Sequence, residues 1–168
     1  AGELGFTPQW IGQSPTWIGV LGESPLAPYL QANFLVASEG VTYGDTSVPG
    51  MAELVRIKDT YAPTQAPDVY FNFGYLQAKV VVAALEKAVE LGDLSHEGIL
   101  EAITQLGTVS FDGLFGDYTY GEAEDRVPPT TSTMFKVDPA NPTGLSVVEG
   151  AEEIEAPYAK DFEFASDD

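Results

Sequence analysis

The acidic side chains best placed to do chemistry gather in FDGLFGDYTYGEAEDRVPP, Phe111 to Pro129, where Asp117, Glu122, Glu124 and Asp125 lie close in sequence. Two chemistries would suit them: a calcium loop, or a pair of carboxylates acting as acid and base. A calcium loop of the EF-hand type needs oxygen ligands at alternate positions, a central glycine and a closing Glu. From Asp117 the chain offers Tyr118, Thr119 and Tyr120 where those oxygens belong, so a solvated turn is the better reading. Paired carboxylates for glycoside chemistry need a shared cleft and one raised pKa. With 26 acids in the chain, pairs arise by chance and none is singled out.

His96 is the one histidine, and it follows Ser95, a helix-cap candidate. A Ser-His-Asp triad would have to use it, yet the adjacent Ser95 is badly placed as its nucleophile. One histidine and no cysteine also leave too few ligands for a His- or Cys-based zinc site. Phosphate-cradling GxGxxG and GxxxxGK[ST] loops are absent. The sequence therefore nominates no catalytic residue, no metal ligand and no cofactor. Aromatic and hydroxyl side chains remain: Trp10, Trp17, Tyr70 and Tyr75 flank predicted strand ends, where parallel α/β sheets bind small organic ligands. Trp10 reads as core, Tyr70 as intermediate, and Trp17, in the polar loop QSPTW, as the freest.

The elements that must position these residues follow from periodicity and punctuation. AGEL reads as the end of a helix stopped by Gly5. QWIG, NFLVAS (Asn33 to Ser38) and DVYFNF (Asp68 to Phe73) read as three strands. SPLAPYLQ, with two prolines, allows at most a short helical turn. A helix with Ser47 as cap and Pro49 in its first turn places Met51, Leu54, Val55 and Tyr61 on one face. GYLQAKVVVAALEKAVELG is the clearest helix: Lys79, Glu86, Lys87 and Glu90 form a narrow polar stripe, which predicts burial on the remaining sides. Gly92 ends it, Ser95 caps the next helix, and Gly107 stops that one. TVSFDGLFGDYTY reads as extended with a glycine bend; TSTMFKV and LSVVEG read as strands. Strands alternating with helices predict an α/β fold with a mostly parallel sheet.

Composition narrows the partners. Seven Lys plus Arg stand against 26 Asp plus Glu, a net charge of −19. Such a surface repels nucleic acid and anionic lipid. Apolar residues make up 44% of the chain, enough for a core. No run of about 18 apolar residues is present to span a bilayer. AGELGFTPQW lacks the basic start and apolar stretch of a signal peptide, so an exported form implies a leader already removed.

The stretches ELGFTPQWIGQS, LVASEGVTYG, DVYFNFGYLQAKVVVAALEKA and GILEAITQLGTVSFDGLFGDYTYGEAEDRVPPTTSTMFKV, in this order, give the sequence a family resemblance. It resembles the C-terminal half of a type I periplasmic solute-binding protein of the branched-chain amino acid (Leu/Ile/Val) group of ABC importers. The resemblance implies three-layer α/β lobes with mostly parallel sheets, this chain being an incomplete, C-terminal portion of a two-lobed protein. It assigns residues 1–70 to the second lobe, 71–125 to the first, 126–150 to return strands of the second, and 151–168 to an acidic tail. It implies non-catalytic capture, between two lobes, of a small organic solute (amino acid-like, a carboxylate or an aromatic acid) outside the cytoplasm, periplasmic or extracellular and lipid-anchored when full length. Its partners would be the ABC permease membrane subunits, and a homodimer of the truncated form is a further expectation. The alternative reading is a sensory ligand-binding domain of the same fold, with an acid-based hydrolase third.

Carried onto this sequence, the family's cleft-facing loops nominate Ser14, Thr16, Trp17, Tyr70, Asn72 and Tyr75 as ligand-binding. In the amino-acid-binding members an acidic residue of the first loop pairs with the ligand's ammonium. Here Ser14 holds that place, with no Asp or Glu between Leu4 and Glu23. That departure points away from an α-amino acid and toward a carboxylate, an aromatic acid, an amide or another neutral solute.

Overall fold

The computed structural model describes residues 1–151 together with 154, 155 and 158. The acidic tail expected over 151–168 therefore lies largely outside the described residues.

A mixed sheet joins the first part of the chain to its last strands. β1 (Trp10–Gln13) and β2 (Phe34–Ser38) pair in parallel, with Trp10 opposite Phe34 and Gln13 opposite Ala37. β5 (Thr131–Val137) adds antiparallel to β2, β6 (Leu145–Val147) antiparallel to β5, and β7 (Ile154–Glu155) pairs with the start of β5. The α/β class holds, and within the described residues the parallel pairing is that of β1 with β2. Side chains alternate across a strand, so Thr133, Phe135 and Val137 of β5 point to one face. Register then brings Val36 opposite Phe135 and Leu145 opposite Val137. Trp17 closes this first core, with Leu21 and Leu30 of α1 (Ala27–Asn33) and the turn before it packed alongside. Despite its two prolines the segment makes nearly two helical turns, because Pro28 falls in the first turn, where its missing N–H costs nothing.

A second, separate core joins α2 (Met51–Tyr61), α3 (Val69–Leu91) and the 109–118 segment through Met51, Leu54, Leu76, Phe111 and Leu114. Ser47 does not cap α2; its N–H and hydroxyl both donate to Asp45 Oδ1, and Gly50 occupies the cap, its N–H donating to the Asp112 carbonyl. Tyr61, expected on the inner face, is exposed at the last turn of α2.

The predicted strand Asp68–Phe73 is instead the start of α3. Asp68 Oδ1 accepts from the Phe71 N–H at 3.0 Å, a helix cap, and Asn72, Leu76, Ala84 and Ala88 then form a buried stripe at helical spacing. The alternation in DVYFNF is too short to outweigh that longer period. Gly92 ends α3 in the left-handed conformation, and the Ser95 hydroxyl caps α4 (His96–Thr104) by accepting from the Gly98 N–H. α3 and α4 pack together, and each buries a small residue completely, Ala88 on one and Ala102 on the other. α3 is not covered on all its apolar sides among the described residues: Val81, Val82, Leu85 and Val89 are exposed.

The stretch read as extended is a hairpin, β3 (Gly107–Val109) against β4 (Tyr118–Tyr120). Asp117 Oδ1 closes its loop by accepting from the Phe111 N–H. Glu122, Glu124 and Asp125 lie exposed on a single turn of 3-10 helix, the solvated place their spacing indicated.

Candidate functional site

The parallel pair β1–β2 ends at one edge, and the polar residues of interest gather there. Ser14 follows the last residue of β1, and Ser38 is the last of β2. Ser14 Oγ lies 3.0 Å from Ser38 Oγ and 3.1 Å from Glu39 Oε2, its single proton serving one at a time. Gln13 Nε2 donates to the other carboxylate oxygen of Glu39 at 3.2 Å. Ser14 and Ser38 are buried, whereas Glu39 is half-buried. The turn is made possible by Gly12, where a Cβ would collide with Thr16 and Phe34. Thr16 folds back over it, its hydroxyl donating to the Gln13 carbonyl at 2.7 Å, and is otherwise exposed.

Beside this cluster runs a crevice of about 10 Å³, one water's worth, with Ser14, Trp17, Ser38, Thr42, Tyr43 and Thr143 among its walls. Burial pushes the Tyr43 phenol up, with Asp59 adding to the shift, so it is a neutral hydroxyl at ordinary pH. Trp17, expected to be the freest aromatic, is 1% exposed; its indole N–H donates to the Thr143 carbonyl at 3.3 Å. It forms the crevice wall from within the core and offers no open stacking face. Trp10, expected in the core, is 40% exposed and donates to the Tyr29 hydroxyl.

The other nominated residues sit on α3. Asn72 is 4% exposed; its Nδ2 donates to the Val41 carbonyl at 2.9 Å, and its Oδ1 has no partner. Val41 and Val69 line the crevice, so Asn72 braces the segment behind it. Tyr70 points elsewhere, into an open groove of about 420 Å³ that it shares with Phe73, Phe115, Tyr118 and Tyr120. Tyr75 packs against the second core, and burial raises its pKa. Ser14, Trp17 and, through Val41, Asn72 are thus brought together, while Tyr70 and Tyr75 lie apart from them. Glu39 is the residue that sequence reasoning passed over. Its signal was its place directly after β2, which only the parallel β1–β2 pairing brings beside Ser14.

Between the two cores the chain crosses at Glu39, Gly40 and Val41. The Val41 N–H donates to the Leu114 carbonyl, and a Cβ on Gly40 would collide with that same oxygen. Gly116 lies against Pro129 where the chain returns toward β5.

No family model and no curated protein matches the sequence. Two solved structures share its fold. One is a fatty acid ABC transporter substrate-binding protein from Thermomonospora curvata, with a TM-score of 0.82 and 24% identity over 97% of this chain and 41% of that one. The other is a branched-chain amino acid ABC transporter protein from Thermus thermophilus with bound valine, with a TM-score of 0.72 and 17% identity over 96% of this chain and 43% of that one. The chain shares the α/β fold of these two structures and spans about two fifths of their length.

Proposed function

We propose that this chain serves in an extracytoplasmic solute-binding component of an ABC importer, which captures a small organic solute between two lobes without catalysis and delivers it to the permease membrane subunits. The observation that carries this reading is the gathering of Ser14, Ser38 and Glu39 at the carboxyl ends of β1 and β2, on a fold shared with two transporter proteins. On this reading the two cores belong to different lobes. The chain then leaves the second lobe near Gly40, earlier than the residue 70 that the resemblance alone assigns, because Met51 and Leu54 pack with Leu76 and Leu114. Glu39 to Val41 and the Pro129 segment would act as hinges, so that closure brings the second lobe's ligand groups onto the solute.

The Ser14, Thr16 and Asn72 positions supply or brace the hydrogen-bonding edge, Trp17 its rigid wall, and Tyr70 and Tyr75 the flank of the crossover helix. The test is a thermal-shift screen of the full natural polypeptide against amines, amides, carboxylates and sugars. A ligand that binds only the folded state stabilises it by about 2.7 kcal/mol at a hundredfold excess over Kd. A cooperative rise in Tm with one solute class, without turnover of that solute, is expected. No shift with any class, or consumption of the solute, overturns the reading.

A further inference from the structure

The expectation that Ser14 leaves the site without a charge for an ammonium does not take account of Glu39. Its carboxylate reaches Ser14 from the neighbouring parallel strand, and Gln13 and Ser14 hold both its oxygens in place. Both are neutral donors. Among the described residues Glu39 makes no ion pair with Lys, Arg or His, although four such pairs form elsewhere on the chain. An ionised carboxylate offers about four lone-pair sites, of which two are used here. It is half-buried beside two buried serine hydroxyls, in a place where water competes less than it would on an open surface.

We infer that Glu39 is the specificity-determining residue of this edge, accepting a primary ammonium or similar cationic donor group of the solute while Gln13 and Ser14 fix its orientation. This rests on the solute-binding reading above and narrows its ligand class. A primary ammonium brings three N–H donors, which the free lone pairs of Glu39 and the hydroxyl oxygens of Ser14 and Ser38 can share. A solute carboxylate in the same place would face Glu39 directly, and like charges at such a distance repel. The net charge of −19 acts in the same sense at long range, drawing cations toward the protein and slowing the approach of anions. A carboxylate elsewhere on the solute is compatible with this; the end that meets Ser14 is the cationic one.

The experiment uses the full natural polypeptide and a matched panel: the primary amines, primary amides and carboxylates built on isobutyl, phenethyl and hexyl skeletons, titrated by calorimetry at low salt. At least one amine is expected to bind about tenfold or more tightly than its matching amide, with its carboxylate weaker still. Glu39→Gln keeps the shape and one of the two acceptor oxygens that Gln13 and Ser14 use, but removes the charge, and it is expected to erase the amine-over-amide preference. Ser14→Ala, which releases the carboxylate without removing it, is expected to weaken the amine severalfold and retain the preference, which keeps the inference testable if Glu39→Gln folds poorly. Tightest binding by an amide or carboxylate, or an amine preference that survives Glu39→Gln, overturns the role of Glu39 and leaves solute capture standing. Binding by no member of the panel overturns the role of Glu39; solute capture falls with it only where the broader thermal-shift screen, sugars included, also shows no shift.

Discussion

Trp17 donates its indole N–H to the carbonyl of Thr143 at 3.3 Å, joining the loop after β1 to the turn that leads into β6. The ring fills the space between Val36, Phe135 and Leu145, and it is among the largest fully buried side chains of the described residues. Removing such a ring leaves a cavity that the sheet cannot close. Trp17→Ala is therefore expected to cost about 3–5 kcal/mol in urea denaturation. Trp17→Phe keeps most of the volume, loses the hydrogen bond to Thr143, and should cost less than half as much. A loss below about 1 kcal/mol for the alanine variant would mean that the ring is free to serve as a stacking surface after all.

Gly40 sits between the two cores with a positive φ of 83°, and its Cα faces the Leu114 carbonyl. An alanine there meets two costs: the left-handed backbone, about 1–2 kcal/mol for an L-residue, and a collision with a backbone oxygen that no side-chain rotation relieves. Gly44, also at positive φ, has open space around it. Gly40→Ala should therefore destabilise clearly more than Gly44→Ala when the two are compared by denaturant midpoint. Equal losses would show that the crossing segment moves aside at little cost.

Asp68 begins α3 by accepting from the Phe71 N–H, and its own backbone is extended. Asp68→Ala should cost about 1 kcal/mol, while Asp68→Asn or Asp68→Ser, which retain a capping oxygen, should cost a few tenths. Circular dichroism on the same variants should show frayed helix in the alanine variant alone. If all three behave alike, the helix begins independently of this side chain.

The outcome at Asp68 explains where sequence reading stops. Gly92 and Ser95 were legible as helix stop and cap because their effect is local: one supplies the left-handed turn, the other an oxygen for the Gly98 N–H. β1, β2, β5 and β6 were legible from short apolar runs bounded by turn residues. The Asp68–Phe73 run was ambiguous, since six residues satisfy a period of two about as well as one of 3.6. The site was legible only in part. Ser14 was nominated only through the family resemblance, the burial of Trp17 depends on a turn far along the chain, and the reach of Glu39 depends on strand pairing. Neither relation is written in the neighbouring residues. The exposed valines of α3 mark the same limit: the stripe pattern gave the helix, while what covers it is a tertiary matter.

Asp93 gives a prediction in pH. Hydrogen bonds from Ser95, chiefly its hydroxyl and then its N–H, hold the Asp93 carboxyl below its ordinary value of 3.8. A depressed folded-state pKa means that the folded form binds the proton less readily than the unfolded chain. The stabilisation is then fully present above the unfolded value and is lost as pH falls through the folded one. Asp93→Asn keeps an acceptor and removes the charge, so it should melt below the parent at neutral pH. That gap should hold down to about pH 4 and close as the pH is lowered further. The side chain is exposed, so the gap is small and shrinks in high salt. A difference in melting temperature that stays constant from neutral pH to well below the ordinary carboxylate range would place the stabilisation in the shape of the turn that caps α4, and not in the charge of Asp93.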